Sequence, residues 1–212
     1  MQARSFAVMP LWLLLLAATR VSAGRHIECE TTVAVGDGKL VIELWEETAP
    51  IGVERFVALV EDGFFTDLPF FRAIPRFLIQ FGVSMDTAMQ AKWNAKGDIK
   101  DDQHSDIPFT DGIVSYAGYG KGSRSTHLFL TLGDQPGLGK SPWEVPVGKV
   151  IRGLDVMHGI YTGYGDGVDQ GRLHGPAGKK YLDKFPRLDR FKACRVVTGV
   201  EDDAGPNARH EL

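Results

Sequence analysis

Two polar side chains, Arg72 and Gln80, lie within a dense apolar stretch of the sequence, residues 70–82. Apolar packing requires neither of them, so their presence indicates binding or chemistry. The phenylalanines before Arg72 predict the end of one strand, Pro75 predicts a break, and residues 77–81 predict a second strand. Two such strands would hold a guanidinium and an amide over an aromatic surface. This is the layout of a pocket.

The elements that would position this stretch are mostly strands. Residues 26–35 and 39–45 are rich in β-formers, and the Gly-Asp-Gly sequence at 36–38 between them is a strong hairpin signal. Residues 48–62 predict a helix with one apolar stripe, and residues 153–160 predict a second helix. The stripe consists of Val53, Phe56, Val57 and Val60. Three further runs complete the predicted strands: residues 113–118, 126–130 and 191–199.

The polar segment 84–111 shows little periodicity and predicts a long loop. Trp93 within it is interpreted as packing the loop onto the sheet, with ligand contact as the alternative. No internal repeat and no linker is found, so residues 24–200 are predicted to form a single domain.

The composition, 43% hydrophobic and 24% charged over 212 residues, is typical of a soluble globular protein. Residues 1–23 differ from the rest, because Arg4 precedes an apolar run and small residues stand at 21–23. This pattern predicts a secretory signal peptide. A membrane anchor is the alternative, but a span needs roughly 20 apolar residues, and this run is shorter and is broken by Pro10.

The charge balance argues against nonspecific nucleic-acid binding. The formal net charge is −3, and it becomes −5 without residues 1–23, because two arginines and no acidic residue are lost. A mildly acidic surface repels phosphates. No nucleic-acid partner is therefore predicted, and no membrane span is predicted once residues 1–23 are removed.

The polar tail, residues 201–212, ends in Arg-His-Glu-Leu. This ending is like the Lys-Asp-Glu-Leu retrieval signal, with His210 at the position where an acid usually stands. Together with the signal peptide, it predicts residence in the lumen of the endoplasmic reticulum, and secretion is the alternative.

Two cysteines, Cys29 and Cys194, lie in the first and the last predicted strands. In an oxidising compartment they form a bridge if these strands are neighbours in the sheet. Two unpaired, buried thiols are the alternative, and the sequence leaves both open.

Residues 70–80 resemble the signature of the cyclophilin-type peptidyl-prolyl isomerases, Phe-x-Arg-x-Ile-Pro-x-Phe followed by a short apolar step and Gln. The matching residues are Phe70, Arg72, Ile74, Pro75, Phe77 and Gln80. The resemblance continues in order from about residue 27 to about residue 199. It implies a mainly β fold, a closed eight-stranded antiparallel barrel capped by two helices.

The resemblance also implies a site for proline-containing polypeptides. It assigns catalysis to Arg72, with Gln80 fixing the carbonyl that moves during rotation. The backbone of Ala117 and Gly118 is implied to grip the peptide. The apolar slot for the proline ring is implied at Phe77, Leu78, Phe129 and Leu138.

Several positions depart from the family pattern, namely Tyr116, Gly118, His127, Gly139 and Glu144. His127 stands at the position of a Gln in the site and could still donate a hydrogen bond from its ring. Gly139 and Glu144 fall at the positions of a pocket Trp and a pocket His, and Trp143 is a nearby candidate to refill the rim. Residues 161–189 resemble an inserted connection found in some members.

The expected activity is the acceleration of X-Pro isomerisation during folding of secretory proteins, by a monomer without cofactor or metal. A cation beside the proline nitrogen would favour the twisted transition state, in which the nitrogen lone pair is localised. The competing hypothesis is a non-catalytic module that binds proline peptides, or a chaperone component. Two structural alternatives stay open. Phe77 and Phe129 could be ordinary core residues, and Arg72 could be a solvated cation at the end of a strand.

Other chemistries lack their motifs. The six histidines are scattered without zinc-site spacing, and no Gly-x-Ser-x-Gly nucleophile elbow occurs. The Gly-Lys-Ser sequence at 139–141 lacks the upstream glycine of a phosphate loop, since Asp134 stands there.

Overall fold

Nine short strands form one curled antiparallel sheet in the structure, a computed structural model that describes residues 24–199. The strands are β1 (Arg25–Thr31), β2 (Lys39–Leu44), β3 (Leu68–Pro69), β4 (Arg72–Ile74), β5 (Leu78–Phe81), β6 (Ile113–Tyr116), β7 (Leu128–Thr131), β8 (Pro146–Arg152) and β9 (Arg190–Thr198). Their order in the sheet is β3-β9-β1-β2-β8-β6-β7-β5-β4. The predicted signal peptide and the predicted polar tail lie outside the described residues.

The mainly β, antiparallel architecture is confirmed, but the prediction of a closed eight-stranded barrel is wrong in its detail. The sheet has nine strands, and its two end strands, β3 and β4, are hydrogen-bonded to β9 and β5 respectively rather than to each other. They are consecutive in the chain and separated only by Phe70 and Phe71. The amide of Phe70 still donates to the carbonyl of Asp189 at 3.0 Å, so the chain crosses from one edge of the sheet to the other within a few residues.

Four helices surround the sheet: α1 (Pro50–Glu61), α2 (Thr87–Lys96), α3 (Leu154–Gly159) and α4 (Gly178–Leu182), with one 3₁₀ turn at Gln170–Arg172. The two predicted helices correspond to α1 and α3. Helix α2 was expected to be loop, because its sequence is polar and carries no apolar stripe. It begins at a strong N-cap, since the carboxylate of Asp86 accepts hydrogen bonds from the amides of Ala88 and Met89.

Trp93 packs α2 onto the main core, which confirms its predicted packing role, although the contacts of its ring within residues 24–199 are with α1 and Phe64 and not with a strand. Its side chain is buried in the main core, and its Nε1 donates to Asp62 Oδ2 at the end of α1, at 2.8 Å. The segment that follows is attached through a buried ion pair, because Arg124 Nη1 donates to Asp102 Oδ2 at 2.7 Å. Asp102 also accepts the amides of Ile51 and Gly52 at the start of α1.

The main core lies on the inner face of the curled sheet, where the apolar stripe of α1 closes one side. A group of edge-to-face aromatic contacts centres on Phe81 and Phe191, whose ring centroids are 5.1 Å apart. Strand β1 pairs with β9 so that Cys29 lies directly opposite Cys194, and a disulfide joins them. Of the two alternatives left open by the sequence, the structure contains the bridge. Within residues 24–199, no helix has the length and hydropathy to cross a membrane.

The insertion, defined here as residues 161–189, forms a second apolar cluster outside the sheet. Its residues pack against Phe71 and Val83, which flank the strands β4 and β5. The insertion contributes Val168, Leu173, Tyr181, Leu182 and Leu188 to that cluster. The insertion therefore lies beside the strands that carry Arg72 and Gln80.

Candidate active site

A third apolar cluster, separate from the main core, brings the predicted slot residues together. We call it the slot cluster. Its buried members are Leu78, Phe109, Ile113 and Phe129, and its partly buried members are Trp45, Phe77, Ala117 and Leu138. All four predicted slot residues, together with Ala117, are therefore neighbours in the fold.

Strand alternation separates the slot cluster from the main core. In β5, Ile79 and Phe81 point into the main core, whereas Leu78 belongs to the slot cluster and Gln80 follows it on the same face. The same alternation in β7 places Phe129 on the outer face. A sheet that is apolar on both faces has room for a core on one side and a binding surface on the other.

The strand register aligns the polar residues with this cluster. Arg72 lies opposite Gln80 across β4 and β5, and Gln80 lies opposite Phe129 across β5 and β7. Residues that are directly opposite in a sheet share a face and contact one another. Arg72, Gln80 and Phe129 thus form one row across three strands, although they are far apart in the sequence.

The guanidinium of Arg72 is held over the slot cluster. Its Nη1 donates to Gln80 Oε1 at 3.3 Å, and its Cζ lies 5.7 Å from the ring centroid of Phe77. Its Nε donates to Asp166 Oδ1 of the insertion. The Arg72 side chain is only 24% exposed, which disfavours the alternative of a solvated strand-end cation.

Within residues 24–199, the hydrogen bonds of Arg72 use Nε and Nη1 only. Its Nη2 is therefore available to a ligand above Phe77. Gln80 is buried and uses its carbonyl oxygen to accept from Arg72, and no acceptor in the described part of the chain takes its Nε2 hydrogens. One arginine nitrogen and one amide nitrogen are thus free to donate into the same pocket.

Gly118 presents free backbone groups beside the slot cluster. In the described part of the chain, neither its N–H nor its carbonyl forms a hydrogen bond, whereas the amide of the preceding Ala117 donates to the His127 carbonyl at 3.0 Å. A Cβ atom at position 118 would lie 2.7 Å from Cδ1 of Trp143. Trp143 therefore covers the space that a side chain at this position would occupy, which agrees with its proposed place at the rim.

Gly139 and Glu144 are joined within one loop, and neither supplies an aromatic side chain to the site. The Oε2 atom of Glu144 accepts a hydrogen bond from the amide of Gly139 at 3.1 Å. Gly139 has φ +78°, and a Cβ there would lie 2.7 Å from Cε2 of Phe109. Phe109 stacks on Phe129 with their ring centroids 6.1 Å apart. The aromatic wall is therefore supplied by Phe109 instead of residue 139.

Sequence reasoning missed Phe109. It lies at the end of the polar segment 84–111, where no periodicity marks it as buried. The available signal was that Phe109 is the only Phe, Trp or Tyr between Trp93 and Tyr116. A cavity of about 590 Å³ extends outward from it between residues 104–110 and 134–140, and Leu138 also lines it.

His127 lies at the boundary between the site and the insertion. Its ring is tilted against Phe71, with centroids 5.7 Å apart, and is stacked on His174 of the insertion at 6.4 Å. Burial first, and then the neighbouring His174, lowers the pKa of His127 to about 4. The imidazole is therefore neutral near pH 7 and can donate from one ring nitrogen while accepting at the other.

Tyr116 does not belong to the site. Its side chain is fully buried on the inner face of β6, and its hydroxyl donates to the carbonyl of Gly52 at 2.9 Å. Burial raises the pKa of the Tyr116 hydroxyl above its usual range. The departure from the family pattern at this position therefore acts on the core and on the attachment of α1.

Comparison with known proteins agrees with this geometry. The family model described as "Cyclophilin type peptidyl-prolyl cis-trans isomerase/CLD" matches residues 27–175. A peptidyl-prolyl cis-trans isomerase of Schizosaccharomyces pombe is 36% identical over 134 residues, which are 62% of this chain and 81% of that protein. One of Acinetobacter baylyi is 30% identical over 150 residues, which are 69% of this chain and 77% of that protein.

The fold is also found among solved structures. A cyclophilin type peptidyl-prolyl cis-trans isomerase of Cryptosporidium parvum superposes with a TM-score of 0.56 at 19% identity, covering 84% of this chain and 99% of that one. At this identity the likeness concerns the fold alone. Since the family model covers most of the chain and the relatives are matched over most of their length, the chain belongs to the cyclophilin-type peptidyl-prolyl cis-trans isomerase family.

Proposed function

We propose that this chain accelerates the cis–trans isomerisation of X-Pro bonds in polypeptides, with Arg72 as the electrostatic catalyst. The observation that carries the proposal is the row formed by Arg72, Gln80 and Phe129, in which the guanidinium lies over the slot cluster with Nη2 free. The proline ring would enter the slot cluster, and the free backbone groups of Gly118 would hold the peptide.

The chemistry requires no covalent step. Amide resonance imposes a barrier of about 18–20 kcal/mol on rotation. In the twisted transition state that resonance is lost and the proline nitrogen acquires a localised lone pair. Arg72 Nη2 would then donate to this nitrogen, and Gln80 Nε2 would donate to the rotating carbonyl. The hydrogen bond to the nitrogen is stronger in the transition state than in the ground state, which lowers the barrier, and the hydrogen bond from Gln80 fixes the carbonyl during rotation.

The size of the effect follows from the charge on the donor. A hydrogen bond to a charged group contributes about 1.5–3 kcal/mol, and each 1.4 kcal/mol changes the rate by about tenfold. Loss of the Arg72 guanidinium should therefore reduce the rate enhancement by about 10- to 100-fold.

The test is the exchange rate of an Ala-Pro tetrapeptide with residues 24–212 and with Arg72→Ala. Arg76→Ala is the matched control, because Arg76 is an exposed arginine in the turn between β4 and β5 and its removal changes the net charge equally. We expect the parent and Arg76→Ala to accelerate the exchange alike, and Arg72→Ala to lose most of the effect while keeping its circular dichroism spectrum. A folded parent without rate enhancement contradicts the proposal.

A non-catalytic proline-binding module is the second candidate. The departures at Gly118, His127, Gly139 and Glu144 favour it, because each replaces a site residue that the family pattern contains. A module of this kind would bind the tetrapeptide in a titration followed by nuclear magnetic resonance, yet would not shorten the lifetime of either isomer.

We also propose that the protein acts on secretory polypeptides in the lumen of the endoplasmic reticulum as a monomer. Support comes from the signal-peptide pattern of residues 1–23, the Arg-His-Glu-Leu ending and the disulfide between Cys29 and Cys194. Deletion of residues 209–212 from the full chain should release the shortened protein into the medium. Replacing Asp202 and Asp203 by Asn is the control that should leave it inside. Cytosolic protein would contradict the proposal, and secretion of the intact chain would favour the alternative.

A further inference from the structure

We propose that Asp166, at the tip of a turn in the insertion, is a positioning residue for Arg72. The inference deepens the proposed isomerase function and rests on it. The pairing of β4 with β5 explains why Arg72 and Gln80 face each other. It does not explain what holds the Nε side of the guanidinium. Asp166 Oδ1 accepts from Arg72 Nε, on the side opposite the contact with Gln80.

The turn that carries Asp166 is attached to the strand that carries Arg72. The amide of Ala73 in β4 donates to the carbonyl of Gly165 at 3.4 Å, and the two residues form an antiparallel bridge. Within the turn, the amide of Gly167 donates to the carbonyl of Tyr164 at 2.7 Å. The bridge therefore joins the residue after Arg72 to the residue before Asp166, and it holds the two side chains close together.

The base of the turn is packed as well. The ring of Tyr164 lies edge-on to Phe185 at 5.2 Å and to Tyr161 at 5.0 Å. Its hydroxyl accepts a hydrogen bond from the amide of Arg187 at 3.3 Å. Tyr164 packs against the same apolar cluster as Phe71, the residue before Arg72. The carboxylate is therefore presented by a supported loop.

The two contacts of Arg72 fix the plane of its guanidinium. A long, flexible side chain has many rotamers, and two contacts select among them. With Nε held by Asp166 and Nη1 held by Gln80, the guanidinium is fixed over the ring of Phe77 before substrate arrives, and Nη2 keeps its hydrogens for a ligand. The planar, forked donor geometry of arginine suits this use.

Asp166 acts by orientation more than by charge. Its side chain is 66% exposed, so solvent screens its field at the reacting nitrogen, and an exposed ion pair of this kind contributes little net stability. Removing the carboxylate should therefore loosen Arg72 without unfolding the protein. Substrate affinity should change little, because Arg72 Nη2 makes its strongest contact in the transition state.

The test compares Asp166→Ala, Asp166→Asn and Asp183→Ala. Asp183 is an exposed aspartate of the same insertion, so its removal changes the net charge of the insertion equally. We expect kcat/KM for the tetrapeptide to fall about tenfold in Asp166→Ala, with the peptide Kd changed less than twofold. Asp166→Asn should recover most of the activity, because its amide oxygen accepts the same hydrogen bond. Asp183→Ala should match the parent.

A second measurement separates this inference from the proposed function. In the parent, the Nε–H of Arg72 should exchange slowly with water in a nuclear magnetic resonance spectrum, and exchange should accelerate in Asp166→Ala but not in Asp183→Ala. If the parent lacks isomerase activity and this acceleration occurs, the positioning role holds and the proposed function fails. Unchanged exchange, or a variant Asp166→Ala as fast as or faster than the parent in catalysis, overturns the positioning role.

Discussion

The main core and the slot cluster are built from alternate residues of the same strands, yet they differ in how completely their side chains are buried. In the main core, Phe81 is fully buried and contacts Phe65, Phe70 and Phe191 edge to face. In the slot cluster, Phe77 and Leu138 keep part of their surface exposed and have the cation of Arg72 beside them. A surface left unfilled beside unused hydrogen-bond donors is suited to bind a ligand, whereas a filled one contributes only to stability.

The largest effect is expected on the core side of this comparison. Phe81→Ala should lower the free energy of unfolding by about 3–5 kcal/mol, because it removes a fully packed ring and leaves a cavity. Chemical denaturation measures it. Under conditions in which Phe81→Ala is folded, its activity should stay within severalfold of that of the parent. A loss of activity without a loss of stability would contradict the distinction between the two clusters.

The outer face also contains a titratable group, which the packing around it keeps neutral. The pKa of His127 is about 4 in the folded protein and about 6.5 in the unfolded chain. Between these values the unfolded chain binds more protons, so stability decreases as the pH falls through this window. The contribution of His127 is a loss of about 2–3 kcal/mol between about pH 7 and about pH 4.5.

Replacing His127 by Gln should remove this part of the pH dependence, since Gln does not titrate. Denaturation curves at both pH values measure it, and His104→Gln, at a histidine that is about half exposed, is the control that should leave the dependence in place. If lowering the pH from about 7 to about 4.5 destabilises His127→Gln and the parent equally, the site does not disfavour the charged imidazole.

A smaller effect is expected for Phe77→Ala, and it should appear in activity. The ring of Phe77 is partly exposed and lies under the guanidinium of Arg72. Its removal should reduce kcat/KM for the tetrapeptide by about 10- to 50-fold while costing about 1 kcal/mol of stability. Together with Phe81→Ala, it makes a matched pair of phenylalanine truncations. A stability loss as large as that of Phe81→Ala would assign Phe77 to ordinary core.

The smallest effect concerns the rim. Gly118→Ala places a Cβ 2.7 Å from Trp143 Cδ1, so the indole must shift. We expect a loss of about 1 kcal/mol and weaker peptide binding. The same substitution in a Trp143→Ala background should cost less, because the indole is gone. Equal costs in both backgrounds would show that Trp143 does not cover Gly118 in solution.

Much of the site could be predicted from local sequence because strand alternation is local. The spacing of Arg72 and Gln80 around Pro75 predicted two strands that hold both side chains over an aromatic surface, and the structure adds that the two residues lie directly opposite each other. The number of strands could not be predicted in this way. The sequence predicted that one strand ends at Phe70 and Phe71. The structure has the short strands β3 and β4 on either side of these residues, because the chain crosses from one edge of the sheet to the other there.

The sequence by itself indicated the family and the slot residues through the resemblance, and it put Arg72 and Gln80 on neighbouring strands because their spacing around Pro75 is local. Only the tertiary structure decided that Phe129 joins their row, and which other distant groups complete the site. Phe109 comes from a polar segment without periodicity, and Asp166 comes from a glycine-rich turn. Such contacts depend on where long connections pack against the sheet, and no local pattern of residues encodes that path.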